Sequence, residues 1–316
     1  MIKVAITGAA GNLGGLLADA MKELDVNLNL LTYRRDVPDD LKQRSNINVF
    51  KVDLAEPETL PDALEGVDTI VHFAGILFKA NPEKFLPVTN TRYFRNLLDV
   101  AVNQKVKRII LISFPHVEGE CTPENPARGS LDGNPESMHA RTRLEEEKLL
   151  FQYEKGYSFE AVSLRVGMVY GRGILMIDAA QWFARHWLLG VWRKPTYIHL
   201  ISKTDFTDAV IAAIVKPDIR GIYHIGDEGM QTLQQFLDDI TVYRKNHKPW
   251  RMPVWMIMTA ARCFELFSAV FGTRSPLTVD FIKIGMVSYY GDTKRMREEL
   301  LPHLKYKTYR EGMELF

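Results

Sequence analysis

The chain holds 316 residues, 46% of them hydrophobic and 25% charged, an apolar share that disordered chains lack. Lys and Arg number 40 against 39 Asp and Glu, so no basic footprint of a nucleic-acid binder is present. Cys121 and Cys263 stand far apart with no CxxC, which argues against a disulfide framework or a cysteine zinc site and for a reducing, cytoplasmic setting. The opening MIKVAITGAAG reads as a strand entering a turn, with no signal-peptide core. No uninterrupted run of about 18 uncharged apolar residues predicts a membrane-spanning helix.

Short β-branched runs alternate with helix-period stretches over the first two-thirds of the chain. In order, the pattern predicts strand 3–7, helix 13–24, strands 28–33 and 48–52, helix 60–64, strand 69–73, helix 91–103, strand 107–113, helix 139–155 and strand 159–165. In the helix near Asn90, Phe94, Leu97, Leu98 and Ala101 make one apolar stripe. The alternation predicts an α/β fold, a doubly wound parallel sheet of Rossmann type covered on both faces. Residues 166–200 are rich in Trp and Gly and predict irregular structure around a pocket. Helix 204–215, strand 221–225 and helix 233–243 follow, and the tail from 253 to 316 reads as mostly helical. The expected division is a core over 1–165 and a smaller, mostly helical C-terminal substrate lobe over 166–316, interleaved with elements returning to the core.

Thr7-Gly8-Ala9-Ala10-Gly11-Asn12-Leu13-Gly14 follows the first predicted strand directly. Glycines here allow a tight turn and bring backbone close to a pyrophosphate, while Gly14 lets the next helix pack against the sheet. That helix offers free N–H groups and a positive dipole end to phosphates. The spacing is GxxGxxG, and with it the chain resembles the extended branch of the short-chain dehydrogenase/reductase superfamily. That branch holds nucleotide-sugar epimerases and dehydratases together with dihydroflavonol-reductase-like and 3β-hydroxysteroid-dehydrogenase-like proteins. Further segments match in order. The resemblance implies that Asp53 and Leu54 meet the adenine, that Phe73, Ala74 and Gly75 line adenosine and ribose, that Asn90 opens a helix of the central sheet, and that Val166 lies beside the nicotinamide. It also implies a homodimer through the helices at 91–103 and 139–155.

An acidic residue closing the second strand would accept ribose hydroxyls and repel a 2′-phosphate. That position falls on Thr32 or Tyr33, and Arg34 and Arg35 follow. Guanidinium forks suit a phosphate, so NADP is the expected cofactor, with NAD the alternative.

Superfamily members pair Tyr and Lys four apart on one helix face with a Ser or Thr from the preceding strand, so that a tyrosine of lowered pKa exchanges a proton with the substrate oxygen. Here His139 falls on the tyrosine and Arg143 on the lysine, and Ser113 is the nearest hydroxyl donor, one residue before Phe114. Three readings stay open. His139 replaces the phenol as acid/base while Arg143 holds cofactor ribose; the pair is lost and the protein binds a dinucleotide without turnover; or His116, Glu118 or Glu120 supplies the proton chemistry.

Around 174–192 and again over 253–271 the chain is strongly apolar, interrupted in the second stretch by Arg262 and Glu265. Together these predict a chamber for a small, apolar substrate or a surface that touches lipid or a partner. Ser275-Pro276-Leu277-Thr278 and the segments after it resemble the tail of steroid-dehydrogenase-like members. Arg185, His186, Arg193 and Lys194 leave a sugar diphosphate open as well. The run 145–148 reads as a solvated helix face, and no histidine spacing suggests a metal.

Overall fold

Thr7 ends the first strand, β1 (Ile2–Thr7), because Gly8 turns the chain with φ at +69°, a region that L side chains avoid and glycine enters freely. The computed structural model describes residues 1–76, 79–271 and 277–316. Helix α1 (Asn12–Met21), β2 (Val26–Thr32), α2 (Asp39–Lys42), β3 (Ile47–Lys51), α3 (Pro61–Leu64) and β4 (Thr69–His72) follow. The chain continues through α4 (Tyr93–Asn103), β5 (Arg108–Ser113), α5 (Met138–Gly156) and β6 (Glu160–Val166). Then come β7 (Met168–Tyr170), α6 (Leu175–Arg185), β8 (Gly190–Trp192), β9 (Tyr197–Ile198), β10 (Leu200–Ser202), α7 (Lys203–Val215) and β11 (Gly221–Ile225). Last are β12 (Gln231–Thr232), α8 (Leu233–Tyr243), β13 (Trp250–Met252), α9 (Val254–Phe271) and α10 (Val279–Gly285).

Seven strands form one parallel sheet in the order β11-β6-β5-β4-β1-β2-β3. Strands β4 and β5 are buried at every residue, as both-face coverage by helices requires. Val4, Ile6, Leu28, Leu30, Val71 and Ile110 serve the core on one face, and Ala5, Leu31, Ile70, Ile109 and Leu111 the core on the other. The strand order switches direction between β1 and β4, so the crevice beyond their carboxyl ends is where such a sheet takes a ligand. Residues 8–14 and 73–76 leave the sheet there.

Two local departures from the sequence pattern matter for the site. The helix expected from residue 91 is preceded by a π-helical turn over Pro87–Arg92 that buries Asn90. The apolar stretch before residue 272 is a single helix, α9, of which only Ile257 and Ala261 are buried. It is long and apolar enough by composition to cross a membrane. A criterion of uninterrupted apolar residues misses it because Arg262 and Glu265 break the run. Ser275 and Pro276 lie outside the described residues.

Candidate cofactor and active site

Gly11 caps α1 with extended backbone and no side-chain hydrogen bond, so the first N–H groups of the helix are left to a ligand. The three glycines of the turn are crowded: a Cβ on Gly11 would sit 2.9 Å from the Gly8 carbonyl oxygen, one on Gly8 3.1 Å from the Ala74 nitrogen, and one on Gly14 inside contact of the same Gly8 carbonyl. A cleft of about 290 Å³ opens beside them, lined by Ala9, Ala10, Gly11, Gly15, Asp19 and Asp36 among others.

Thr7 ties this turn to the one after β4. Its Oγ1 is hydrogen-bonded to His72 Nδ1 at 2.8 Å and accepts from the N–H groups of Phe73 and Ala74 at 3.2 and 3.3 Å. Burial first, and then the Arg143 charge, hold His72 well below the usual histidine range. Asn12, expected at the phosphates, spends its amide elsewhere: Nδ2 donates to the Gly173 carbonyl at 2.6 Å and Oδ1 accepts from Leu175 N–H at 2.9 Å. Its side chain therefore stitches the glycine turn to the start of α6, and only backbone of Asn12 and Leu13 faces a phosphate position. Asp53 is half-buried and accepts from Ala55 N–H at 2.9 Å. The Leu54 carbonyl accepts from Asn96 at 2.8 Å. Arg34 and Arg35 are exposed just past β2, Arg34 lying over the Tyr33 ring at 5.2 Å. Val166 ends β6, buried, paired with Ile225.

Helix α5 carries His139, Arg143 and Glu147 one turn apart, and each meets a different segment. His139 Nδ1 lies 2.7 Å from Asp280 Oδ2 on α10, and Nε2 lies 3.1 Å from the Ile76 carbonyl oxygen. Arg143 donates to the Ala74 carbonyl at 3.1 Å and to Glu146 at 2.7 Å. Glu147 receives the Ser113 hydroxyl in a short hydrogen bond, the Ser163 hydroxyl at 2.9 Å and the Arg165 guanidinium at 2.5 Å. The expected donor Ser113 is thus brought to Glu147, eight residues beyond His139. That is about 12 Å of helix axis, and its proton is already committed to a carboxylate. Asn90 donates to Thr142 Oγ1 at 3.0 Å, and its buried Oδ1 has no partner among the described residues.

The stretch 145–148 is not the solvated face its charges suggest. Glu145 and Lys148 are exposed, whereas Glu146 and Glu147 are fully buried. Burial pushes Glu146 up to about 7 against the opposing pull of Arg143, and one of its oxygens has no partner among the described residues. Arg165, fully buried, bridges Glu147 to Glu118 and donates to the Ser130 carbonyl at 2.8 Å. Burial alone would raise Glu118. The His224 ring 3.4 Å away, the Gly129 N–H at 2.8 Å and the Arg165 charge outweigh it and hold the carboxyl down to about 2.

A model of the NAD dependent epimerase/dehydratase family matches residues 4–226. The chain belongs to that family. It is 27% identical over 165 residues to a uronate dehydrogenase of Pseudomonas syringae pv. tomato, a match covering 52% of this chain and 58% of that enzyme. It is 25% identical over 182 residues to an L-arabinose 1-dehydrogenase (NAD(P)(+)) of Haloferax volcanii, covering 53% and 67%. The chain therefore spans little more than half the length of the first of these relatives. The fold follows that of the UDP-glucose 4-epimerase of Thermus thermophilus in complex with NAD at a TM-score of 0.76 and 18% identity, over 99% and 97% of the two chains.

For a member of the epimerase/dehydratase family, the glycine cradle fits a dinucleotide: a Cβ would fill it, and the helix end above it lacks a cap. The sequence missed Asp280 and Glu147; Glu118, named as a candidate, lies against Arg165 and the His224 ring. His116, named as a candidate, lies buried beyond β5, with Nε2 donating to the Val287 carbonyl at 3.1 Å and Nδ1 without a partner among the described residues; burial lowers it to about 4. Glu120 is exposed. Among the described residues no three His, Cys, Asp and Glu side chains converge where a metal could be held.

Proposed function

We propose that the protein is an NAD(P)-dependent oxidoreductase or epimerase/dehydratase-like enzyme acting on a hydroxyl or carbonyl of a small molecule, with non-standard catalytic residues. The glycine turn opening onto the uncapped end of α1, at the crevice of a parallel sheet, carries the reading. Thr7, Gly8, Gly11 and Gly14 with the backbone of Asn12 and Leu13 hold the pyrophosphate. Asp53, Leu54, Phe73, Ala74 and Gly75 line the adenosine side, and Arg143, beside Ala74, serves the ribose. Exposed Arg34 and Arg35 after a non-acidic Thr32 favour NADP. The bound dinucleotide would supply or accept the hydride.

His139 is the acid/base in this reading. Asp280 faces Nδ1, and Nε2, which lies against the Ile76 carbonyl, is the nitrogen that would exchange a proton with the substrate once that contact is given up. Asp280 acts as a positioning residue. The substrate is a small molecule: the apolar residues of α6 and α9 support an apolar one, and the basic residues near them support a sugar acid. The reading also carries a cytoplasmic setting and a homodimer through α4 and α5, which lie together with Tyr153 donating to Asp99 at 2.6 Å; mass in solution by light scattering reads the latter.

Thermal-shift titration with NADPH, NADH, NADP⁺ and NAD⁺ tests the cofactor. A shift is expected, larger for the phosphorylated pair, and Arg35→Ala removes the difference; no shift with any of the four refutes the reading. Turnover is assayed with uronic acids, aldoses and UDP-glucose, the substrate types in the relatives' names, together with apolar alcohols and ketones. His139→Ala is expected to lower kcat by about 10²-fold or more. Asp280→Asn is expected to lower kcat and move its pH profile while leaving dinucleotide affinity unchanged.

A second reading, a catalytically inactive dinucleotide-binding sensor or scaffold, draws on one observation. His139 Nε2 is engaged by the Ile76 carbonyl and the Ser113 hydroxyl by Glu147. A cofactor shift without turnover across the substrate panel would favour it.

A further inference from the structure

Helix α9 is 18 residues long, about 27 Å at 1.5 Å per residue. Its last turns expose Leu266 (67%), Phe267, Val270 (75%) and Phe271, with the Phe267 and Phe271 rings 4.4 Å apart. A contiguous apolar surface of this kind marks an interaction site. The strand leading into α9 joins it to a second exposed apolar strip. β13 pairs with β8, the Trp250 indole donates to the Trp187 carbonyl at 2.9 Å, and Trp187 stacks on His247 at 4.1 Å. Nearby, Phe264 of α9 and Ala179, Trp182, Phe183 and Leu188 line an apolar groove of about 470 Å³. Four tryptophans of this region, Trp182, Trp187, Trp250 and Trp255, are at least half exposed.

Charge decides what this surface fits. Residues 179–201 and 240–271, which carry it, hold eight Lys and Arg and a single acidic residue, Glu265, in a chain whose totals are 40 and 39. Arg251 is paired with Asp238 at 2.6 Å. Arg193, Lys194, Lys245 and Lys248 are exposed with no acidic partner among the described residues. A second copy docking through this patch by two-fold symmetry would set the positive strips against each other. An anionic bilayer offers both an apolar interior and negative headgroups, and tryptophan favours the boundary between them.

Crossing the bilayer is ruled out by connectivity. β13 ends just before α9 and pairs within the fold, and Val279 N–H of α10 donates to Glu265 in the second half of α9 at 2.9 Å. Both ends of α9 therefore return to the same side. We propose that α9 and the tryptophan-lined groove beside it seat the protein on an anionic phospholipid surface, apolar turns entering one leaflet and the basic residues meeting the headgroups. This seat is independent of the cofactor reading, and an otherwise cytoplasmic protein would use it at the inner leaflet.

Flotation of the full chain with extruded vesicles tests the seat, using phosphatidylcholine alone and phosphatidylcholine mixed with phosphatidylglycerol. The protein is expected to float with the mixed vesicles and much less with phosphatidylcholine alone, and salt is expected to weaken the binding. Leu266→Glu with Val270→Glu abolishes flotation. Lys245→Glu with Lys248→Glu lowers vesicle affinity by about 10-fold or more. All four positions are exposed, and unchanged thermal unfolding verifies that the variants fold. No flotation with either vesicle overturns the proposal, as does flotation that neither double variant alters. A solution dimer that Leu266→Glu with Val270→Glu dissociates, without vesicle binding, assigns the face to a second copy and overturns it equally.

Discussion

A Cβ on Gly14 would come within 3.0 Å of the Gly8 carbonyl carbon and closer still to its oxygen, and both are backbone atoms that cannot swing aside. Gly14→Val must therefore push α1 away from the turn. It is expected to cost about 1–3 kcal/mol in urea unfolding and to weaken dinucleotide binding by about 10-fold or more in a titration; unchanged affinity would remove the turn from the cofactor site. The glycines are legible in the sequence because their requirement is local: a positive φ and a close approach, written in a spacing of three. Asp280 and Glu147 are not. Asp280 meets His139 across 141 positions, and Glu147 meets Arg165 across 18 and Ser113 across 34. A carboxylate buried against an arginine reads, residue by residue, like any solvated one. Asn12 shows the converse: an amide in the right motif is recruited by a loop 161 positions away.

At the scale of the element, α5 works as a ruler. His139, Arg143 and Glu147, each one turn from the next, address the post-β4 segment, the Ala74 carbonyl and the ends of β5 and β6 in turn. The i, i+4 spacing that suggests a catalytic pair in the sequence is therefore kept in space, since both His139 and Arg143 reach residues 74–76. What the spacing omits is that the same stripe continues to Glu147 and captures Ser113 two turns away. Apolar periodicity fails to signal this face because it is buried through charges, not through leucines. The helix start is fixed by Ser137, whose hydroxyl accepts from Ala140 N–H at 3.2 Å. Ser137→Ala is expected to lower stability by about 1 kcal/mol in chemical unfolding. On the proposed role of His139, which stands in the first turn of α5, kcat is expected to fall more than dinucleotide affinity does. Loss of cofactor affinity with unaltered kcat would separate α5 from the chemistry.

Across the whole molecule, the sheet was readable because each of its strands is a short apolar run set between turns, and β11 joins the edge from within the second half of the chain. The buried polar interior was not, and it sets the response to pH. His116 and His199 are lowered to about 4 and His72 well below its usual 6.5, in each case chiefly by burial. The unfolded chain takes up protons at these three sites below about 6.5 that the folded chain refuses, so stability falls as pH drops through that range. Burial raises Glu146 from 4.5 to about 7 and Asp227 from 3.8 to about 8. The folded chain keeps these two protons where the unfolded chain releases them, so stability falls as pH climbs toward 8. From about pH 4.5 to 6.5 the three histidines outweigh the two carboxyls by about one proton, so stability still rises with pH there. Glu118, held to about 2 instead of 4.5, adds a loss as pH falls from 4.5 through 2. Stability is therefore expected to peak near pH 6 and to decline on both sides. The alkaline limb should reach a slope of about one proton, or about 1.4 kcal/mol per pH unit. Urea unfolding across this range measures the curve, and Asp227→Asn, which keeps the acceptor for the Gly229 N–H at 2.9 Å, should flatten its alkaline limb. A stability that rises steadily through pH 8 would show that Glu146 and Asp227 are ionised in the folded protein.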